Sequence, residues 1–588
     1  MRFRTIALIA LSLVMAATVA PVHAATKESS ALQGALTATD RGATVAVWVV
    51  FGEKHAGTGE LRAAEAALTD HARARRARNR VAGSLVDAYD VPVSEALIDR
   101  VRASGVHVRQ VSRWLNAVSV DATPAQVRAL AALPGVAALD VVRAGRSPEP
   151  VEPVEAAQRT PAPPRNATQA MLLDYGSSLF QNQLIDVPAM HALGYDGSGV
   201  IIAVLDTGFN NPTHPAFANL DVMITHDFVN GDSVVADEPG QMGSGFHGTL
   251  VLGVIAGYAP GELIGPAYGA TYILAKTENT SWERHIEEDA WVAAAEWADG
   301  LGADIIQSSL VYQGGFTNGE TGYVWQDMDG ATAFITIGAD IAGSRGILVI
   351  NAAGNSGFVS EPANTLGAPA DGDMVLTVGA TDAGGTRGSF SSVGNAADGR
   401  TKPDVMAMGV NVYTVSATDP WYNTNSGTSL AAPLVSGAAA LVLQARPLAS
   451  NVMIMNALRN TATNAGAPNR LIGWGVIDAL AARNYIASGV GDEPALPATS
   501  LVAYPNPFNP ATTIEYTLAT AGRVTLSAYD AAGRRVATLV DEAQTAGVHR
   551  VRWNAAAGTD GRSLPSGVYL LKLTTGDSTT SRKVVLLK

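Results

Sequence analysis

The stretch Gly427–Pro433, with the sequence GTSLAAP, is the most informative segment of this chain. It places Ser429 between a tight glycine turn and an apolar run that predicts a helix, whose buried face continues through Ala438, Leu441 and Val442. A hydroxyl there lies at the positive end of the helix dipole, beside backbone N–H groups that can hold a developing oxyanion. A serine alone is a weak nucleophile at neutral pH, so it needs a histidine base and an acid that orients the histidine.

Two upstream segments supply these partners. Val200–Asp206 (VIIAVLD) is a continuous apolar run, which is typical of a strand buried on both faces of a parallel sheet. Asp206 stands at the carboxyl end of this predicted strand, where open α/β sheets place catalytic groups, and we expect Thr207 to hydrogen-bond its carboxylate. His247, in the tetrapeptide FHGT, directly precedes an apolar segment at residues 250–257 that predicts a helix.

A fourth segment, Ile347–Gly357, predicts a buried strand that ends in a loop with an amide side chain. The side-chain N–H of Asn355 in this loop is a candidate donor to an oxyanion, and the backbone N–H of Ser429 is a second. Taken alone, each candidate residue has an ordinary structural explanation as a turn residue, a structural histidine or a helix N-cap. Four motifs in one order, each beside a predicted strand or helix, favour catalysis.

The order Asp206, His247, Asn355, Ser429, with the motifs DTG, HGT, AAGN and GTSxAAP, resembles the subtilisin family of serine peptidases. The resemblance implies an α/β fold with a subtilisin-like parallel-sheet catalytic domain, which hydrolyses peptide bonds through an acyl-enzyme. It assigns the nucleophile to Ser429, the general base and acid to His247, the orienting carboxylate to Asp206 and the oxyanion donor to Asn355. The alternative is a catalytically quiet surface adhesin or scaffold on the same fold, and the complete set of four residues counts against it.

The substrate pocket is predicted by the same resemblance. A helix over Glu283–Trp297, with Ile286, Ala290, Ala293 and Trp297 on its buried face, and a strand over Asp304–Leu310 lead into it. Ser309 and Leu310 are implied as one wall of the pocket for the residue before the cleaved bond, and Ala352, Ala353 and Gly354 as the opposite wall. Val311 replaces the family's glycine, so either the pocket is narrower or differently shaped, or the local backbone differs from that of the family. Small, neutral walls favour an apolar or medium-sized side chain over a charged one.

The N-terminus predicts export. Residues 1–24 have a basic start, an apolar run from Ile6 to Ala20 and small residues before Ala25, which together indicate a signal peptide. The alternative is a membrane anchor, but the apolar run is short for a span. A Pro- and Glu-rich segment at residues 144–168 predicts an exposed linker, in or just after which maturation cleavage is expected.

Residues 25–143 predict a small α/β domain. Predicted strands cover Val45–Phe51, Val106–Val111, Asn116–Val120 and Val136–Val142, and a capping box at Thr123 opens a helix through Leu133. The pattern resembles the inhibitory propeptides of subtilisin-like enzymes, with an unrelated small domain as the alternative. The arginine-rich segment Arg73–Arg78 is interpreted as a solvated helix face, or less favourably as a basic binding patch.

The catalytic domain is predicted over residues 169–487, followed by a linker at 488–500 and a C-terminal domain at 501–588. Short alternating strands in the last region predict an immunoglobulin-like β-sandwich: Thr513–Leu518, Val524–Tyr529, Val536–Val540, His549–Trp553, Val568–Leu573 and Arg582–Leu587. The opening Tyr504–Ile514 and the hairpin at Ser566–Tyr569 resemble type IX secretion sorting domains. That resemblance implies the outer-membrane secretion machinery as a partner and a Gram-negative-type bacterium, secreted or at the cell surface. A carbohydrate- or wall-binding sandwich is the alternative.

Composition narrows the partners. The chain of 588 residues has no cysteine, so disulfides are excluded, and its net charge of -13 argues against nucleic acid. Protein or peptide substrates and the chain's own propeptide are the expected partners. No cofactor is required for the chemistry. Structural calcium is possible in this family, but the acidic loop with Asp232, Asp237 and Glu238 lacks a recognisable ligand spacing, so we assign no metal site.

Overall fold

A computed structural model of the chain describes most of its residues. These are residues 27–40, 42–52, 54, 56–79, 84–142, 173–241, 245–278, 288–313, 322–487, 501–504, 508, 511–518, 522–544, 547–555, 564–576 and 578–586. The predicted signal peptide and the predicted linkers at 144–168 and 488–500 lie outside the described residues.

A seven-stranded parallel sheet forms the centre of the largest domain. The strands of this domain, including two short pairs beside the sheet, are β5 Ile201–Asp206, β6 Asp221–Asp227, β7 Tyr258–Ala259, β8 Leu263–Ile264, β9 Thr271–Lys276, β10 Ile305–Ser308, β11 Leu348–Ala352, β12 Val375–Thr381, β13 Val405–Met408, β14 Val412–Val415 and β15 Tyr422–Asn425. The parallel sheet has the order β13-β12-β11-β10-β5-β9-β6, and β7–β8 and β14–β15 are the short pairs. The predicted strands at Val200, Asp304 and Ile347 correspond to β5, β10 and β11, which lie next to one another. Helices cover both faces of this sheet, which explains why its central strands are continuous apolar runs in the sequence.

The helices of this domain are α6 Leu179–Gln183, α7 Val187–Ala192, α8 Phe246–Ala256, α9 Glu288–Leu301, α10 Phe334–Ser344, α11 Thr428–Ala445, α12 Asn451–Asn460 and α13 Ala479–Ala487, with 3₁₀ turns at Pro215–Phe217 and Trp325–Asp327. Ile202 and Val204 of β5 pack into the layer that contains α8 and α11, whereas Ala203 and Leu205 pack into the layer of α9 and α10. Of the helices in the described part of the chain, α11 alone has the length and hydropathy of a membrane span, and 89% of it is buried in the core.

The predicted propeptide region forms a separate small domain. Its described elements are α1 Ser30–Ala38, β1 Val45–Phe51, α2 Thr58–Ala66, α3 Asp70–Asn79, α4 Glu95–Arg102, β2 His107–Ser112, β3 Ala117–Ala122, α5 Pro124–Ala131 and β4 Val136–Val141, with a 3₁₀ turn at Ala88–Asp90. The antiparallel sheet has the order β2-β3-β1-β4. The predicted capping box is present, since Thr123 Oγ1 accepts from Gln126 N and Gln126 Oε1 accepts from Thr123 N.

The small sheet has two different faces because strand side chains alternate. Val47 and Val49 of β1 belong to the small domain's own core. Between them, Trp48 points to the catalytic domain, where its ring stacks on Phe334 with ring centroids 5.5 Å apart. The two domains therefore share one apolar interface.

Helix α9 was predicted with one buried face, but it is buried nearly all around. Besides the apolar residues that pack on the sheet, its four acidic residues are buried: Glu288, Asp289, Glu296 and Asp299. The sheet lies on one side of the helix and the small domain on the other. The predicted buried positions Ala293 and Trp297 are only half-buried, and Ile286 lies outside the described residues.

The interpretation of Arg73–Arg78 as a solvated face is wrong. The segment is helical, in α3, but Arg75 and Arg76 are fully buried. Both guanidinium groups bind the Asp299 carboxylate of α9, at 2.5 and 2.6 Å. A segment that contains only arginine and alanine gives no sign of a partner that lies more than 220 positions away along the chain.

The C-terminal region forms two antiparallel sheets packed around one core. Its strands are β16 Leu501–Tyr504, β17 Ala511–Leu518, β18 Gly522–Asp530, β19 Arg535–Gln544, β20 Gly547–Asn554, β21 Gly567–Thr575 and β22 Ser578–Leu586. The sheet orders are β16-β17-β20 and β19-β18-β21-β22. The predicted β-sandwich is confirmed, and β16 is a strand that the sequence pattern did not indicate.

Candidate active site

The carboxylate of Asp206 and the imidazole of His247 are in direct contact. His247 Nδ1 lies 2.6 Å from Asp206 Oδ1, and the same oxygen accepts a hydrogen bond from Thr207 N at 2.8 Å. The predicted contact from Thr207 is therefore made by its backbone N–H. The close approach of β5 and α8 requires glycines: Gly208 has φ +123, and a Cβ on Gly248 would clash with the carbonyl oxygen of Gly208.

Ser429 lies in the first turn of α11, as predicted, and is almost fully buried. Helix α11 packs against α8, which carries His247. The position of Ser429 is further fixed by Ser309, whose hydroxyl donates to the Ser429 carbonyl oxygen at 2.7 Å. The backbone N–H groups of a first helical turn have no acceptor one turn earlier in the helix. Those of Thr428 and Leu430 bind Asn355 Oδ1 and the Gly427 carbonyl oxygen, which leaves the Ser429 N–H as the candidate donor to a ligand oxygen.

Asn355 is tied to the same helix end through Thr428. Its side-chain Oδ1 accepts from Thr428 N and from Thr428 Oγ1, each at 3.0 Å. This leaves Asn355 Nδ2 with no hydrogen-bond partner within the described residues, although it is buried. A Cβ added at Gly427 would lie 2.8 Å from Ser429 Oγ and 3.4 Å from Asn355 Nδ2, so both groups border one small space.

His247 Nε2, the ring nitrogen opposite the Asp206 contact, is also buried and makes no hydrogen bond to any described residue. The site thus combines a carboxylate-bound histidine, a serine hydroxyl and an amide donor with free hydrogen-bonding capacity. Such an arrangement can move a proton from the hydroxyl to the histidine and stabilise an oxyanion.

The predicted pocket residues lie at the ends of two neighbouring strands, β10 and β11, where Ser308 pairs with Asn351. Leu310, Ala352 and Ala353 are fully buried. Val311, which replaces glycine, is also buried, and it faces Gly367: a Cβ there would lie 2.7 Å from Val311 Cβ. The branched side chain is therefore accommodated by a glycine in the next loop.

Glu278 also lies at the site, although the sequence motifs do not indicate it. The backbone N–H of Thr277 donates to the Asp206 carbonyl oxygen at 2.9 Å, which brings the next residue, Glu278, to the carboxyl end of β5. Burial, with a further contribution from the charge of Asp206, raises the pKa of Glu278 to about 8. The only signal in the sequence is a carboxylate two residues after a buried strand.

The acidic side chains of the loop before α8 accept hydrogen bonds from nearby groups of the protein. Asp237 accepts from Gly245 N and from Asn210 Nδ2, both at 2.7 Å, and Asp232 accepts from Val234 N at 2.8 Å. The part of the chain that the structure describes contains no group of three or more His, Cys, Asp or Glu residues placed to hold a metal ion.

Asp, His and Ser side chains in this order, at the carboxyl edge of a parallel sheet and at two helix N-termini, define a serine peptidase of the subtilisin type. Three protein-family models match the chain. The model of the subtilase family matches residues 197–475, the model of the peptidase S8 propeptide domain of Bacteroidota matches residues 46–157, and the model of the FlgD Ig-like domain matches residues 509–579.

Similar proteins of known identity agree with these matches. Subtilisin Savinase of Lederbergia lenta is 36% identical over 299 residues, which is 51% of this chain and 96% of that protein. Subtilisin DY of Bacillus licheniformis is 36% identical over 48% of this chain and 90% of its own length. The solved structure of fervidolysin from Fervidobacterium pennivorans is 20% identical with a TM-score of 0.54, and the alignment covers 91% of this chain and 71% of fervidolysin, which shows a shared fold.

The chain belongs to the subtilase family, and it is a subtilisin-like serine endopeptidase with a propeptide domain.

The free amide of Asn355 predicts a kinetic effect. Both Asn355→Ala and Asn355→Asp are expected to lower kcat about 100- to 1,000-fold with a smaller change in KM, because each removes the amide N–H that is predicted to bind the oxyanion. Asn355→Asp keeps an oxygen that can accept from Thr428 N but loses the Nδ2 donor. Comparison with Asn355→Ala therefore separates loss of the N–H donor from loss of the contact with Thr428. Steady-state kinetics on a peptide substrate measures both. An Asp variant with near-normal kcat would contradict the donor role.

Glu278 predicts a pH-dependent stability. An unfolded glutamate ionises near pH 4.5, whereas folded Glu278 holds its proton up to about pH 8. The folded state binds the extra proton between these values, so this residue lowers stability as the pH rises through that window. In a Ser429→Ala chain, Glu278→Gln should raise the midpoint temperature of thermal unfolding relative to the parent. The difference between the two should grow as the pH rises across this window and should stay constant above it. Glu262→Gln, at an exposed position, is the control. A difference for Glu278→Gln that does not change with pH would contradict the expectation.

Proposed function

We propose that the chain is the inhibited precursor of a secreted endopeptidase in which Ser429 is the nucleophile. In the first half-reaction, His247 Nε2 accepts the Ser429 hydroxyl proton while Oγ bonds to the substrate carbonyl carbon. Asn355 Nδ2 and the Ser429 backbone N–H stabilise the resulting oxyanion. Collapse breaks the C–N bond, and His247 gives its proton to the leaving amine, which leaves an acyl-enzyme.

Water completes the cycle. His247 takes a proton from water, whose oxygen attacks the acyl carbon, and then returns the proton to Ser429 Oγ as the acid product leaves. Asp206 keeps the Nδ1 proton in place throughout and stabilises the imidazolium. The observation that carries this proposal is the buried 2.6 Å contact between His247 and Asp206, together with the unused hydrogen-bonding capacity of His247 Nε2 and Asn355 Nδ2.

The pocket next to Ser429 is proposed to prefer an apolar or medium-sized side chain before the cleaved bond. The predicted walls, Ser309 with Leu310 and Ala352 with Ala353 and Gly354, carry no formal charge, and Val311 adds a branched apolar side chain beside them. A cleavage profile on a peptide library is expected to show this preference. Dominant cleavage after Lys or Arg would contradict it.

The zymogen part of the proposal rests on the propeptide match and on the extensive contact between the propeptide domain and α9. The linker at 144–168 is proposed to be cut by the enzyme itself.

The Ser429→Ala chain is then expected to accumulate as unprocessed precursor, because it lacks the nucleophile. Mass spectrometry of both purified proteins gives their termini. Normal maturation of Ser429→Ala would show that another protease performs the cleavage.

The C-terminal domain is proposed to be a sorting domain for export across an outer membrane, after a signal peptide has directed the chain through the inner membrane. The match to an FlgD Ig-like domain and the β-sandwich support a separate module at this position. Deletion of residues 501–588 is expected to leave active enzyme in the periplasm, measured by activity in cell fractions. Unchanged activity in the medium would instead favour a binding module.

A further inference from the structure

The last strand of the C-terminal domain, β22, carries an arginine at an inward-facing position. Side chains alternate along a strand, so Arg582 lies on the same face as Val584 and Leu586. Those two residues belong to the core of the β-sandwich, and Arg582 itself is only 9% exposed. A buried guanidinium needs hydrogen-bond acceptors and a compensating charge, which an apolar core does not supply. The catalytic domain supplies both.

Arg582 forms ion pairs with two carboxylates of the catalytic domain. Its Nη1 donates to Asp398 Oδ2 at 2.9 Å, and its Nη2 donates to Asp373 Oδ1. The next residue, Lys583, pairs with Asp329. The three carboxylates lie in three separate loops, at least 184 positions before their partners in the chain. Two adjacent residues of β22 thus bind three segments of the catalytic domain.

The charges of these three carboxylates are only partly compensated within the catalytic domain. Among the described residues, Arg400 is the one cation of that domain that pairs with any of them, at 2.9 Å from Asp373 and 2.7 Å from Asp398. The partner of Asp329 comes from β22. Three carboxylates therefore face a single cation until β22 adds its two, and the charges balance only when the C-terminal domain is docked.

The surroundings keep Arg582 charged and add negative charge beside it. Burial lowers the pKa of Arg582 to about 10, and the nearby carboxylate of Asp340 opposes this shift, so the guanidinium is cationic at neutral pH. Asp340, on α10, accepts a hydrogen bond from Asp373 N at 3.1 Å. A further buried carboxylate, Asp371, accepts from Gly330 N at 2.8 Å, which ties the loop of Asp329 to the segment that carries Asp373.

Residues 367–373, here called the pocket segment, connect the predicted substrate pocket with this surface. At one end, Gly367 faces Val311, and Ala368 exchanges two backbone hydrogen bonds with Tyr312, at 2.8 and 2.9 Å. At the other end, Asp373 is bound by β22 and by α10. An ion pair at Asp373 therefore restrains a segment that begins beside the pocket.

We propose that Asp329, Asp373 and Asp398 form a docking surface for the C-terminal domain, and that the docked domain restrains the pocket segment of the active peptidase. Arg582 and Lys583 are the residues of β22 that this surface recognises. The proposal goes beyond the export role, because a domain used only for sorting needs no ion pairs with the enzyme that it carries. Without the domain, the three carboxylates lose two of their three cations, so the pocket segment opens more often.

Hydrogen exchange of the full chain with Ser429→Ala tests the proposal. The variant Arg582→Met/Lys583→Met removes both cations of β22, and methionine suits the inward-facing position of Arg582. The amides of Ala368 and Gly372, which are hydrogen-bonded within the catalytic domain, are expected to exchange at least about tenfold faster than in the parent, because the restraint at the far end of the pocket segment is lost.

The matched control replaces two exposed cations of the same domain, Arg523→Met/Lys572→Met. Arg523 pairs with Asp541 of its own sandwich, so this variant changes the charge of the domain equally but leaves the docking contacts in place. Exchange in the pocket segment is expected to match the parent. Equal exchange in the parent, the β22 variant and the control would overturn the proposal.

A double-mutant cycle gives a second result that does not depend on the folding of the β22 variant. Asp329→Asn and Lys583→Met each break the same pair, so the midpoint shift in thermal unfolding of the double variant should be smaller than the sum of the single shifts. Additive shifts would overturn the docking contact. Because every chain carries Ser429→Ala and is studied after purification, these outcomes depend neither on the nucleophile nor on the route of export.

Discussion

The hydrogen bond between His247 and the buried carboxylate of Asp206 is the contact on which the rest of the site depends. Asp206 is held by a central strand of the sheet and by the Thr207 backbone, so its position is fixed by the core of the domain. The imidazole can reach it only because Gly208 and Gly248 let α8 approach the end of β5. Once Nδ1 is bound, Nε2 is left without a hydrogen-bond partner among the described residues, and it is the nitrogen proposed to take the proton of Ser429.

Much of this arrangement could be predicted from the sequence, because the signals are local. The apolar runs before Asp206, Ser309 and Asn355 give the three strands β5, β10 and β11, which are neighbours in the sheet. Their carboxyl ends lie on one edge, so residues spaced far apart along the chain meet there. The helix that starts at Thr428 was predicted in the same way, from a glycine turn and an apolar run.

The residues that the sequence did not indicate depend on contacts between distant segments. Glu278 looks like a polar residue after a strand, and only the fold brings it to Asp206. Arg75 and Arg76 look solvated because α3 has no apolar stripe, yet their partners lie on α9. Helix α9 itself was assigned one buried face, since periodicity cannot show that a second domain covers the other side. Three of its four buried carboxylates, Asp289, Glu296 and Asp299, pair with arginines of the propeptide domain, so the charges on this side of α9 are balanced across the interface between the two domains.

Mass spectrometry of the purified, processed protein after reaction with a fluorophosphonate tests whether Ser429 is the nucleophile of a peptidase. One phosphonyl adduct per molecule is expected, located by peptide mapping on Ser429, together with complete loss of peptidase activity. An adduct on another residue, or full activity in a protein that carries the adduct on Ser429, would contradict it.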